Sequence, residues 1–222
     1  MPPRPVLITG FAPYGGRGTN PAAEIARALD GRSIGGRAVV GRTLPVSYRE
    51  LSQRIDALLE EVEPAIVISL GLWPGEPMIR IERVGLNLAD FEIPDNEGRL
   101  VRDEPVRPNS AGAMMASLPI RAIETALLGA GIPARVSDTA GTFLCNAALY
   151  GFLSAAKRVA PAAACGFIHV PYLPAQVAEL VGDLRRESKL ELHQRADLAS
   201  MDLAIQLRAV EIAIEVSSRA GR

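Results

Sequence analysis

Short apolar runs alternate with stretches of helical periodicity along this chain. Residues 5–10 (PVLITG) are a β-rich run stopped by glycine. Residues 65–70 (AIVISL) are apolar throughout, the pattern of a central strand covered on both faces. Residues 38–44, 134–137 and 165–170 (CGFIHV) also read as strands. Helices lie between them. Asn20-Pro21 opens one over 22–29, with Asn as N-cap and Pro in the first helical position. Ser47 begins a long amphipathic helix to about Val62, with Leu51, Ile55, Leu58 and Leu59 inward. Residues 120–130 form another. Residues 145–159 repeat Ala148, Leu149, Phe152, Leu153 and Ala156 at helical spacing, and 200–216 place Leu203, Leu207, Val210 and Ile214 on one stripe.

Three stretches are less regular. Residues 78–93 (MIRIERVGLNLADFEI) alternate enough for one or two strands with polar residues on one side. Residues 94–108 open with Pro-Asp-Asn-Glu-Gly and read as a loop. Residues 183–197 are charged and read as a solvated, mobile connection. Strands alternating with helices imply a three-layer α/β/α sandwich with a mixed, mostly parallel central sheet. At 222 residues the chain reads as one catalytic domain, 1–222. Sites in such sheets lie beyond the strand C-terminal ends, here the loops after Gly10, Gly71, Asp138 and Val170.

Composition narrows the function. A net charge of −1 gives no electrostatic case for nucleic acid or an anionic membrane. Met1-Pro2-Pro3-Arg4-Pro5 does not lead into an apolar signal-peptide core, and no apolar run approaches the roughly 20 residues of a spanning helix. Two distant cysteines in apolar surroundings suggest a reducing cytoplasm rather than a disulfide framework. The His and Cys spacings build no metal site, and the Gly10–Gly18 loop lacks both nucleotide fingerprints, so no cofactor is expected. That loop shapes a pocket with Phe11 and Tyr14 as walls, or the two aromatics plug the core. Gly31-Arg32-Ser33-Ile34-Gly35 matches a serine-hydrolase pattern, but a helix precedes it and a strand follows, the reverse of a nucleophile elbow.

Cysteine chemistry remains. Cys145 falls where a strand, a glycine turn and a helix start meet, and a helix N-terminus favours a thiolate. A small cysteine filling a gap is the competing reading. His193 lies among charges; His169 ends a strand at the edge where sites form, while Cys165 begins that strand at the other edge. Position therefore pairs Cys145 with His169, the imidazole taking the thiol proton and later protonating a leaving amine. A third group should orient the imidazole. Glu82, Asp90, Asp95 and Asp138 are candidates. Glu82 is favoured because an acid in an apolar strand needs a partner, although an ion pair with Arg80 or Arg83 would also account for it.

Together these residues resemble the pyroglutamyl peptidase I (pyrrolidone-carboxylate peptidase) family of cysteine exopeptidases. The matching stretches include ITGFAPYGG followed by NP, LPVSY, IERVGLN, IPDNEG, AGIPARVSDTAGTFLCN and GFIHVPYLPAQ, within residues 7–176. The resemblance implies a Glu82–Cys145–His169 triad that removes the N-terminal pyroglutamyl (5-oxoproline) residue from peptides through a thioester. It implies a lactam pocket walled by Phe11, Tyr14 and Phe143, with Ile93 and Leu144 nearby and Asn20 in the Asn-Pro element. It also implies an α/β/α sandwich and a metal-free homo-oligomer, a tetramer, whose partners are pyroglutamylated peptides.

Two departures stand out. Glu92 precedes IPDNEG and Glu76 follows Pro74-Gly75, both where the family commonly has Arg. Acids near the site would raise the Cys145 pKa. The alternative is therefore a catalytically weakened pyroglutamate-binding homologue.

Overall fold

The computed structural model describes residues 3–187 and 198–220. Its first strand, β1 (Val6–Phe11), runs into α1 (Pro21–Leu29), where the Asn20 side chain accepts from the Ala22 N–H as the sequence suggests. A two-residue strand, β2 (Ser33–Ile34), precedes β3 (Arg37–Leu44), and α2 (Tyr48–Val62) follows with Ser47 as cap. Then come β4 (Ile66–Leu72), β5 (Ile79–Glu82), β6 (Val84–Leu86), β7 (Ala113–Met115), α3 (Ile120–Gly129) and β8 (Ala134–Ser137). The chain continues through α4 (Leu144–Val159), β9 (Ala164–Val170), α5 (Pro174–Arg186) and α6 (Leu203–Ala220).

Seven strands form one sheet in the order β2-β3-β1-β4-β9-β5-β8. β3, β1, β4 and β9 are mutually parallel; β5 runs antiparallel to β9 and carries β8 parallel to itself. The sheet is thus mixed and mostly parallel, as the alternation predicts. Side chains alternate across it. Ile66, Ile68 and Leu70 of β4 face a core shared with α1, α3 and α6. Val67 on the same strand, with Cys165 and Phe167 of β9, faces α2 and α4. Two helical layers therefore sandwich the sheet. No described helix is long and apolar enough to cross a membrane.

Two expectations are corrected. Residues 78–93 supply only the short strands β5 and β6; Asn87 onward is irregular backbone pinned by isolated bonds such as Ala89 N–H to the Glu104 carbonyl. Arg80 and Glu82 share one side of β5, as the alternation suggests, and both are buried. Asp183 through Arg186 is not a connection but the last turn of α5, and Arg17 holds Asp183 at 2.8 Å. Helix α5 escapes the periodicity test because Gln176 is its one buried residue among those described. The rest of the 183–197 stretch, with His193, lies outside the described residues.

Candidate active site

The strand register assembles the site. Gly71 of β4 stands opposite His169 of β9 in a parallel pair, so both positions face the same side of the sheet. Gly71 has no side chain there, and a Cβ on it would lie 2.7 Å from the Cys145 sulfur. Cys145, delivered by the first turn of α4, occupies that space beside the imidazole. On the other flank β5 runs antiparallel, placing Arg80 opposite His169 and Glu82 opposite Phe167. Glu82 Oε1 reaches diagonally to His169 Nδ1 at 2.8 Å, with both side chains buried.

This contact separates the acid candidates. Asp90 pairs with Arg102, and exposed Asp138 pairs with Arg83. Asp95 accepts N–H groups of Tyr48, Glu97 and Arg99 and so folds its own loop. Glu82 meets the imidazole. It also meets Arg80, whose Nε lies 3.2 Å away, so the ion-pair reading and the orienting reading hold together. The Arg80 guanidinium donates further to Ser137 Oγ at 2.6 Å and the Thr139 carbonyl at 2.7 Å, tying the acid to the turn before α4. It stacks 3.7 Å above the Trp73 ring, and Trp73 in turn meets His169 edge-on at 4.9 Å.

A carboxylate on Nδ1 assigns the proton to that nitrogen and leaves Nε2 as the free base. Nε2 is buried and has no hydrogen-bond partner among the described residues. Burial pushes the His169 pKa down, against the opposing pull of Glu82, so the imidazole is neutral near pH 7. Burial, and then the Glu82 charge, push the Cys145 thiol up to about 12. This corrects the expectation of a thiolate stabilised by the helix start: its N–H groups pull the other way but are outweighed. Both shifts favour a resting pair of thiol and neutral imidazole.

The start of α4 is open. Gly141, at φ +74°, makes the turn into it, and its N-cap Phe143 provides no side-chain hydrogen bond. The first helical bond runs from Ala147 N–H to the Phe143 carbonyl, so the N–H groups of Leu144, Cys145 and Asn146 precede the ladder. Such groups can hold an oxyanion. Asn146 is buried and clamps this end to the β6 segment, accepting from Leu86 N–H and donating to the Leu86 and Leu88 carbonyls.

A cavity of about 370 Å³ opens over the pair, lined by Cys145 and His169 and by all six residues expected at the substrate: Phe11, Tyr14, Asn20, Ile93, Phe143 and Leu144. Phe143 packs against Phe91 and Tyr14. Asn20 contributes shape rather than free polar groups, since Oδ1 caps α1 and Nδ2 donates to the Ala12 carbonyl. Ile93 is half-exposed and sits at the mouth. The walls at 90 and 142 are joined by two bonds, Asp90 N–H to the Thr142 carbonyl and Thr142 Oγ1 to the Asp90 carbonyl.

The pyroglutamyl peptidase family model matches residues 4–220. The chain belongs to the pyroglutamyl peptidase family. Pyrrolidone-carboxylate peptidase of Pyrococcus furiosus is 41% identical over 96% of this chain and 97% of its own length. The Klebsiella pneumoniae protein of that name is 40% identical over 96% of this chain and 92% of its own. The structure of pyrrolidone carboxyl peptidase from Thermococcus litoralis superposes with a TM-score of 0.88 at 41% identity, covering 96% and 93% of the two chains.

Within this family member the weakened-homologue alternative finds no support. Glu76 does not line the cavity. It is buried beneath Arg135, at 2.8 Å, and Arg80, at 3.4 Å. The thiol is raised by burial and Glu82, not by Glu76 or Glu92. Glu92 does line the cavity. Sequence reasoning gave no role to Trp73, Thr142 or Asn146, and marked Gly71 only as the strand end before a site loop. Trp73 could have been found as the sole tryptophan of the chain, just past a strand end. Asn146 was visible as a polar residue inside an apolar helical pattern.

Proposed function

We propose that this chain is a cysteine exopeptidase that removes N-terminal pyroglutamyl residues, with Cys145 as nucleophile, His169 as acid–base and Glu82 as orienting acid. One observation carries it: an imidazole fixed by a buried carboxylate at Nδ1 presents an unpartnered Nε2 to the apolar cavity that also holds Cys145. His169 Nε2 takes the thiol proton as Sγ attacks the pyroglutamyl carbonyl carbon. The oxyanion is held by N–H groups at the start of α4. The C–N bond breaks, His169 passes its proton to the leaving amine, and a water activated by the same nitrogen hydrolyses the thioester.

Substrate choice follows from the walls. Phe11, Tyr14, Phe143 and Leu144 suit a small uncharged lactam, whereas a free N-terminal Glu would bring two unpaired charges into the same space. Cys145→Ala should lose at least about a thousandfold in hydrolysis of a pyroglutamyl amide. Substantial remaining turnover would remove the assignment.

The same reading makes residues 1–222 one catalytic domain in a reducing, cytoplasmic setting, supported by two core clusters on one sheet and two unpaired cysteines. It includes assembly into a homotetramer, which light scattering of the purified chain tests directly.

A further inference from the structure

Charge at the cavity is one-sided. Among the described residues lining it, the acidic or basic side chains other than His169 and Cys145 are Tyr14, Asp90 and Glu92; neither lysine nor arginine is present. Tyr14 stays neutral, because burial pushes its hydroxyl pKa up. Asp90 is compensated by Arg102 at 3.3 Å. Glu92 is exposed and has no ion-pair or hydrogen-bond partner among the described residues. It is also held in place. Asp90 N–H bonds to Thr142, Phe91 N–H bonds to Val101, and Arg102 donates to the Phe91 carbonyl, so the backbone entering Glu92 is pinned from two sides. Ile93, next along, presents a half-exposed apolar surface to the same mouth.

A pyroglutamyl substrate has no charge of its own to meet this carboxylate: its amino group is closed into the lactam. With the ring against Phe11, Tyr14 and Phe143 and the scissile carbonyl at Cys145, the rest of the peptide extends towards the exposed rim, formed by Pro74, Glu92 and Ile93. The first side chain after the scissile bond is therefore where charge enters. Lysine and arginine match the rim in both parts, with an aliphatic stem for Ile93 and a cationic head for Glu92.

We infer that Glu92 is a specificity residue selecting pyroglutamyl peptides whose second residue is cationic. The inference rests on the pyroglutamyl reading above. The test compares kcat/KM for pyroglutamyl-lysinamide, pyroglutamyl-norleucinamide and pyroglutamyl-glutamic acid amide, with the released amide quantified by chromatography. Lysine should exceed norleucine by about 2–5-fold, the size of an exposed ion pair. Glutamate should fall below norleucine. The ratios should shrink towards one in about 1 M salt, where screening is nearly complete. Glu92→Gln should remove the lysine preference and Glu92→Lys should invert it. Equal wild-type rates for the three, or a lysine preference that survives in Glu92→Gln, overturn the proposal. If the wild-type chain cleaves none of them, the pyroglutamyl reading itself falls and the proposal falls with it.

Discussion

The Cys145 sulfur occupies the place where a side chain on Gly71 would begin, with 2.7 Å between it and a Cβ there. A glycine in a central strand is therefore what admits the Cys145 sulfur to the sheet face that carries His169. The same Cβ would lie 2.8 Å from the Phe167 ring, so neither neighbour can yield freely. Gly71→Ala should cost about 1–3 kcal/mol of stability by overpacking and about a hundredfold in kcat through displacement of the sulfur. Thermal unfolding and kinetics on one preparation check both. Unchanged kcat would show that the close approach is not needed.

Glu82→Gln removes the group that raises the His169 pKa, leaving burial to lower it further. The neutral, basic imidazole then persists to lower pH, so the acid limb of kcat/KM moves down. The rate itself should drop about a hundredfold or more, because an amide does not enforce the Nδ1–H tautomer. A pH–rate profile separates the two effects. An acid limb that moves upward would contradict the assigned contact.

Alkylation distinguishes the two thiols. Both are pushed up to about 12 by burial, but Cys145 faces the cavity and Cys165 faces core. In the native chain iodoacetamide should label Cys145 first. Its rate should still be rising above pH 9, because the thiolate fraction keeps growing below the pKa. Peptide mapping after timed quenches reads this; a plateau below pH 8 would mean that the helix start outweighs burial.

Arg80 joins Glu82, Glu76, Trp73 and the turn before α4. Arg80→Ala should cost about 3–5 kcal/mol, since it leaves the buried Glu82 carboxylate without a cationic partner, Glu76 keeping Arg135. Arg80→Lys restores the charge but not the planar fork, and should recover less than half of that loss. Chemical denaturation of the two variants tests it, and full rescue by lysine would reduce Arg80 to a point charge.

Local information was enough for much of this protein. Asn20-Pro21, Ser47 and the apolar stripes of α2 and α4 carry their own capping and periodicity, and they appear where the pattern puts them. Helix α5 did not, because it buries so little. Cys145 and His169 were legible from position alone, at a helix start and a strand end. Glu82 was favoured by the cost of an acid in an apolar strand and chosen by resemblance. Tertiary structure decided what those residues meet. The antiparallel turn of β5 aims Glu82 at Nδ1, Gly71 makes room for sulfur, and Arg135 takes up the charge of Glu76. Periodicity records which face a residue takes. Which charge or atom waits across the sheet depends on strand order and register, and these are set by the packing of the whole core.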